Sequence, residues 1–242
     1  MLVIKMKNKI KEKNLEKKFF EEKGYLILKD FLSEEEVKDL KNMLIDGYNR
    51  FLEDEINENN ISEVIMKYEN NNLHDKLYEA FKYISSSDYF VYIGKKFSKF
   101  VKEKFNLDTK IINTGFAIGI KDSKRTAYDW HQEKPYYEKQ DTIHLQFPII
   151  YPCSEANGTM SVLEGSQNQG YIKEVKNIKI NQKSVNSFVP KNINDLIHIY
   201  PEKSFNMSLR DAGVFDQNII HRTNKNLLNE VRFAGIIRLQ II

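Results

Sequence analysis

"YDWHQEKPYY" (residues 128–137) sets His131 and Glu133 two positions apart, directly after Trp130, the chain's one tryptophan. In extended backbone successive side chains alternate, so residues two apart point to the same side. An imidazole and a carboxylate aimed together, with Tyr136 and Tyr137 close by, make up two of the three protein ligands of an open metal site. A chance histidine in a surface loop would give the same letters. The pair therefore acquires meaning only if the fold brings a third ligand to it from elsewhere.

The composition limits what that fold can be. At 242 residues, with 41% hydrophobic and 29% charged, the chain suits one sizeable globular core. Lys plus Arg (37) nearly balance Asp plus Glu (34), and a net charge of +3 gives no reason to expect nucleic acid as a partner. A single cysteine excludes an internal disulfide and a cysteine-based zinc site, and Cys153 reads as a small buried thiol beside a strand. No apolar run approaches the ~20 residues of a membrane span. The opening "MLVIKMKNKIKEKN" turns basic too soon for a signal peptide, so a cytoplasmic location away from membranes is expected.

Along the chain the texture changes once. "LEKKFFEEKGYLIL" predicts a helix stopped at Gly24 and then a short strand. "SEEEVKDLKNMLIDGYNRFL" opens with Ser33 and Glu36 in capping-box spacing, and Val37, Leu40, Met43, Leu44, Tyr48 and Phe51 recur at helical intervals. The polar run "EDEINENNISE" (53–63) reads as a loop, and further helices are expected over 73–84 and 88–105. From about residue 110 come short β candidates: "KIINTGFAIGI", "TIHLQFPIIY", "TMSVLEG", "KSVNSFV", "DLIHIY", "GVFD", "NIIHRT" and "EVRFAGIIRLQII". Turn-forming stretches such as "KDSK", "EANG" and "SQNQG" separate them. This pattern predicts one domain over 1–242, mainly helical over 1–109, with a jelly-roll β-barrel over 110–242 carrying the metal site.

The histidines differ in their promise as third ligand. His74 lies in a charged helical stretch and should face solvent, while His198, in "DLIHIY", reads as a satisfied strand residue. His144 shares a strand face with Thr142 and Gln146, a polar row that suits a cavity or the surface equally. His221 ends an apolar strand segment beside a turn, and its surroundings suit a ligand best. Two imidazoles and one carboxylate can hold one face of a metal ion and leave its other positions open.

"WHQEKPYY", "EANGTMSVLEGSQNQG", "RDAGVFDQNIIHRTNKN" and "VRFAGIIR" together resemble the phytanoyl-CoA dioxygenase family, whose pattern is W-H-x-D, an "ENG…PGSH"-like stretch, and a distal His followed by an Arg. The N-terminal "FFEEKGYLILKDFLSEEEV" is similar to the family's opening helix–strand–helix. The resemblance implies a double-stranded β-helix and a dioxygenase that depends on iron(II), 2-oxoglutarate and O2. It implies His131, Glu133 and His221 as metal ligands, with Glu133 standing where the family usually has Asp. It also implies Arg232, eleven residues after His221, as the partner of the keto acid's distal carboxylate. Thr223 would assist, and Asn113 is a candidate for the keto acid's other end. Arg238 has the same strand parity as Arg232, and at about 3.3 Å per residue it is expected roughly 20 Å further from the metal end.

The expected activity is hydroxylation of a small-molecule or carrier-linked substrate with release of succinate and CO2. The retained carboxylate argues against halogenation. Trp130, Lys134, Tyr136, Tyr137, Gln146 and Asn218 are the candidate pocket residues. A cupin-like metal-dependent isomerase or epimerase and a non-catalytic binding module are the competing readings. The sequence identifies neither the substrate nor the oligomeric state.

Overall fold

A computed structural model describes residues 15–123, 126–179 and 186–242. The opening 14 residues, the end of "KDSK" and the start of "KSVNSFV" lie outside the described residues. The chain begins with helix α1 over 15–23, and Gly24 stops it at φ 79°, a conformation that suits glycine. Strand β1 (Tyr25–Leu28) follows, then α2 (Glu34–Asn49). The capping box forms as the spacing requires: the Glu36 amide donates to Ser33 Oγ at 3.1 Å, and the Ser33 amide to Glu36 Oε2 at 2.7 Å. Helices α3 (Ile61–Asn70), α4 (His74–Ser85) and α5 (Asp88–Phe105) complete the helical part.

Helix α3 departs from the sequence reading, because it begins inside the polar run assigned to a loop. Ile61, Val64, Ile65 and Tyr68 are buried at helical spacing, so packing overrides a weak local preference.

Strand β2 (Thr109–Gly119) opens the β part, followed by β3 (Thr142–Pro148), β4 (Met160–Leu163), β5 (Val175–Lys179) and β6 (Asn186–Pro190). A short helix, α6 (Ile193–Ile199), is next, and β7 (Glu202–Ser204), β8 (Ala212–Asp216), β9 (His221–Thr223) and β10 (Arg232–Ile241) end the chain. Helix α6 corrects the strand expected for "DLIHIY": only Leu196 of that turn is buried, and His198 is exposed. The segment thus presents one apolar residue to the body of the protein, not the alternating face of a strand.

The strands form a five-stranded sheet in the order β1-β8-β3-β10-β2 and a three-stranded sheet in the order β7-β4-β9, with β5 and β6 paired separately. Every pairing in these sheets is antiparallel. The result is a double-stranded β-helix whose two sheets face each other across a lumen.

Alternation decides what enters that lumen. Ile143, Leu145 and Phe147 of β3 and Phe233, Ile237 and Leu239 of β10 join a core with Leu40, Leu44, Phe90, Ile93 and Phe97 of the helices. Ala234 of β10 instead packs with Met160 and Val162 of β4, across the barrel. The even-numbered residues of β10, including Arg232 and Arg238, therefore face inward. The row Thr142, His144 and Gln146 is wholly buried, so the sequence ambiguity between cavity and surface resolves to the interior.

Ser33→Ala should lower the stability of the fold by about 1 kcal/mol through loss of the α2 cap, while Ser33→Asp should keep most of it. Urea denaturation of the two variants measures the difference.

Candidate active site

Two segments about ninety residues apart in the chain meet through a reciprocal backbone bridge. The His131 amide donates to the His221 carbonyl at 2.8 Å, and the His221 amide to the His131 carbonyl at 2.9 Å. This pairing sets the two imidazoles side by side, with ring centroids 4.3 Å apart. Each ring is then oriented by its own backbone. His131 Nδ1 lies 2.7 Å from the Asp129 carbonyl, and His221 Nδ1 lies 3.1 Å from the Ile219 carbonyl. A carbonyl can only accept, so both Nδ1 atoms carry the proton and both Nε2 atoms present a lone pair.

Glu133 joins them by a different route from the one the sequence suggested. The backbone is not extended at Glu133, which has φ −77° and ψ −25° and caps the short 3-10 turn Lys134–Tyr136. Its carboxylate converges on the histidines because the Glu133 and Lys134 amides both donate to the Gln217 carbonyl, at 3.0 and 3.2 Å. One potential ligand atom from each of His131, Glu133 and His221 lies within 4.8 Å of the other two, and all three residues are buried. Glu133 Oε1 is 3.6 Å from His221 Nε2.

Two buried amides hold this arrangement, and the sequence does not single them out. Gln217 accepts from the Thr142 amide and hydroxyl, both at 3.1 Å, and donates to Asp141 at 2.9 Å, which ties the Glu133 loop to β3. Gln132 donates to the carbonyls of Gly170 and Asn218 and accepts from the Ile172 amide. Their signal in the sequence is faint, since a polar residue beside a predicted ligand reads equally well as surface.

The arginines require a correction. Arg238 does not lie far from the metal end. Its Nε and Nη2 approach Glu133 Oε2 and Oε1 at 3.3 and 3.4 Å, and its Nη1 donates to Asn113 at 2.9 Å. The strand parity was right, but β10 runs so that its later residues, not its first, reach the histidines; Arg238 pairs across β3 with His144. Arg232 is fully buried further along the lumen, and its three guanidinium nitrogens have no hydrogen-bond partner among the described residues. The Cys153 thiol lies against it, but burial pushes that thiol up and keeps it neutral, so it is no counter-ion.

The other expected residues fall into two groups. Tyr136 sits edge-on to His131 at 6.2 Å, Tyr137 sits edge-on to His144 at 6.2 Å, and Gln146 is buried on the lumen face of β3. Thr223, two residues after His221 on β9, is half-buried on the wall of a cleft of about 760 Å3 shared with Tyr128 and Asn224. By contrast, Trp130 packs behind the histidine with Leu163, Leu196 and Ile220, and the Arg222 guanidinium stacks on it at 4.5 Å. Lys134 is tied to the Gln140 carbonyl and Asp141, and the Asn218 carbonyl is engaged by Gln132.

The model of the phytanoyl-CoA dioxygenase family matches residues 20–234, which takes in β1, the triad and Arg232. The chain belongs to the phytanoyl-CoA dioxygenase family. Solved structures that share its fold include the following three. EvdO2 from Micromonospora carbonacea var. aurantiaca, complexed with 2-oxoglutarate, has a TM-score of 0.64 at 14% identity, covering 94% of this chain and 90% of its own. The carbocyclase SnoK from nogalamycin biosynthesis, described as non-heme and alpha ketoglutarate dependent, has 0.61 at 12%, covering 93% and 83%. EctD from S. alaskensis, with 2-oxoglutarate and 5-hydroxyectoine, has 0.58 at 14%, covering 92% and 73%. No curated protein sequence matches the chain. Among the described residues, no helix is long and apolar enough to cross a membrane.

Burial also sets the protonation of the site. It pushes the His131 imidazole down to about 4, assisted by His221, and the His144 imidazole down to about 3. Unfolding returns both to the ordinary 6.5. Between those values the unfolded chain takes up protons that the folded chain refuses, so stability falls as pH drops below 6.5 and continues to fall toward about 4. Urea midpoints of the metal-free protein should therefore decline from pH 7 to pH 5, and the decline should be shallower in His144→Gln. A flat profile over that interval would contradict the buried neutral imidazoles.

Proposed function

We propose that this protein is an iron(II)- and 2-oxoglutarate-dependent dioxygenase that hydroxylates a small or carrier-linked substrate. The observation that carries this reading is the convergence of His131, Glu133 and His221 on one point of a barrel lumen that also holds an arginine with no hydrogen-bond partner among the described residues. A buried guanidinium with no counter-ion costs several kcal/mol unless an anion completes it. The distal carboxylate of a keto acid would supply that anion with matching geometry.

The donor set fits iron(II): two neutral imidazole Nε2 atoms and one carboxylate on one side, with the remaining positions open. Iron(II) with 2-oxoglutarate supplies oxygen activation, with succinate and CO2 as co-products. The chain's own residues do the rest. Asp129 and Ile219 hold the imidazoles in the metal-binding tautomer through their carbonyls. Arg232 would bind the distal carboxylate of the co-substrate, and Thr223, two residues after His221 on β9, is the second candidate for it. Phe215, 5.1 Å from His221 and 5.0 Å from His144, keeps water from the inner side of the histidines. Tyr136 and Tyr137 line the approach on the outer side. The 760 Å3 cleft along Tyr128, Arg222 and Thr223 has the size of a small-molecule site.

The test is succinate release from 2-oxoglutarate by the iron(II)-loaded chain. His221→Ala should abolish release and iron binding together. Arg232→Gln should leave iron binding intact and weaken 2-oxoglutarate by roughly tenfold to a hundredfold, measured anaerobically, since charged hydrogen bonds contribute about 1.5–3 kcal/mol each. Unchanged 2-oxoglutarate affinity in Arg232→Gln would remove Arg232 from the site.

A further inference from the structure

We propose that Arg238 is a positioning residue for Glu133, holding the carboxylate of this chain where the two imidazoles can share a metal with it. The inference rests on the reading of His131, Glu133 and His221 as ligands, and it extends that reading to a residue outside the triad.

Glutamate has one more side-chain torsion than aspartate, so its carboxylate sweeps a wider volume and loses more freedom when it is fixed. Something must hold it. Arg238 is the group that does so: its fork touches both carboxylate oxygens, Nε with Oε2 at 3.3 Å and Nη2 with Oε1 at 3.4 Å. The contact is asymmetric in a useful sense. Oε1 is also the oxygen that faces His221 Nε2 at 3.6 Å, whereas Oε2 takes the Nε bond. Both oxygens are thus anchored, and one of them is also directed to the ligand position.

The anchor is itself fixed. Arg238 Nη1 donates to Asn113 Oδ1 at 2.9 Å, and Asn113 lies opposite Arg238 across β2. The β10–β2 register shifts between Arg238 and Leu239, a local bulge of the kind that re-aims a side chain. Asn113, placed by sequence at the keto acid, therefore has its structural role one step back, on the guanidinium that holds the ligand.

Two effects of Arg238 oppose each other. Its fork orders the carboxylate, which favours metal binding, and its charge repels a divalent cation, which disfavours it. The two separate in a double-mutant cycle, because Glu133→Asp withdraws the carboxylate by about 1.5 Å, one carbon–carbon bond, and breaks the contact without touching the charge of Arg238.

The experiment is cobalt(II) titration of the full chain without 2-oxoglutarate, followed by calorimetry and by the cobalt absorption spectrum. Arg238→Met should weaken cobalt by roughly tenfold to a hundredfold and alter the spectrum. Arg238→Lys, which keeps the charge and loses the fork, should not restore the wild-type spectrum. In the Glu133→Asp background only the charge effect is left, so Arg238→Met should leave cobalt affinity undiminished or raise it. Equal losses in both backgrounds, or an affinity that rises in Arg238→Met with Glu133 present, would overturn the proposal. If Arg238→Met does not fold, Asn113→Ala takes its place, since it frees the guanidinium and keeps the charge; a loss confined to the Glu133 background is then the supporting result, and no loss the overturning one. A wild-type chain that takes up no cobalt defeats the metal-site reading itself.

Discussion

The paired backbone hydrogen bonds between His131 and His221 are the constraint on which the site depends. They join two chain segments that belong to neither the same hairpin nor the same helix pair, and they do it without any side chain. Once the two residues are bridged, their rings must lie adjacent, and carbonyls two residues back turn each ring to offer Nε2. The third potential ligand comes with the first segment, provided Gln217 catches the amides that follow His131. The two sheets and the helices behind them serve to make this bridge permanent: β9 is held by β4, and β8, which leads into it, by β3 and β1.

Much of this was legible in the sequence, for identifiable reasons. The α2 cap, the amphipathic helices α4 and α5 and the long strands announce themselves through local periodicity, which survives in a single sequence. The clustering of His131, Glu133 and His221 was legible because these residue types are rare and their order along the chain matches a family pattern. Helix α3 was not, since the run leading into it is polar and its four buried residues matter only when α4 packs against them. The strand read at "DLIHIY" failed for the opposite reason: isoleucines suggest a strand, yet Ile197 and Ile199 stay exposed on a short helix.

The arginines show where one-dimensional reasoning stops. Parity along β10 assigned both to the lumen, and the alternation of Phe233, Ala234 and Ile237 between two apolar clusters agrees. Which end of the strand meets the histidines depends on how β10 is paired with β3, and that pairing is a property of the sheet. Arg238 lies opposite His144, and Arg232 lies past the end of that ladder beside Gly119. The partners then differ in kind: one guanidinium is occupied by a carboxylate and an amide of the chain, and the other has none among the described residues.

The dominance of main-chain bonds at the site bears on divergence. His131, Glu133, Lys134 and His221 are all seated by amide–carbonyl contacts, and a contact of that kind is indifferent to which side chain its residue carries. Outside the few side chains that hold the site (Gln132, Gln217 and Arg238), substitutions can therefore accumulate around the triad without disturbing it, so long as the barrel keeps its path. A TM-score of 0.64 at 14% identity is what such freedom would leave behind: one chain trace written in two nearly unrelated alphabets.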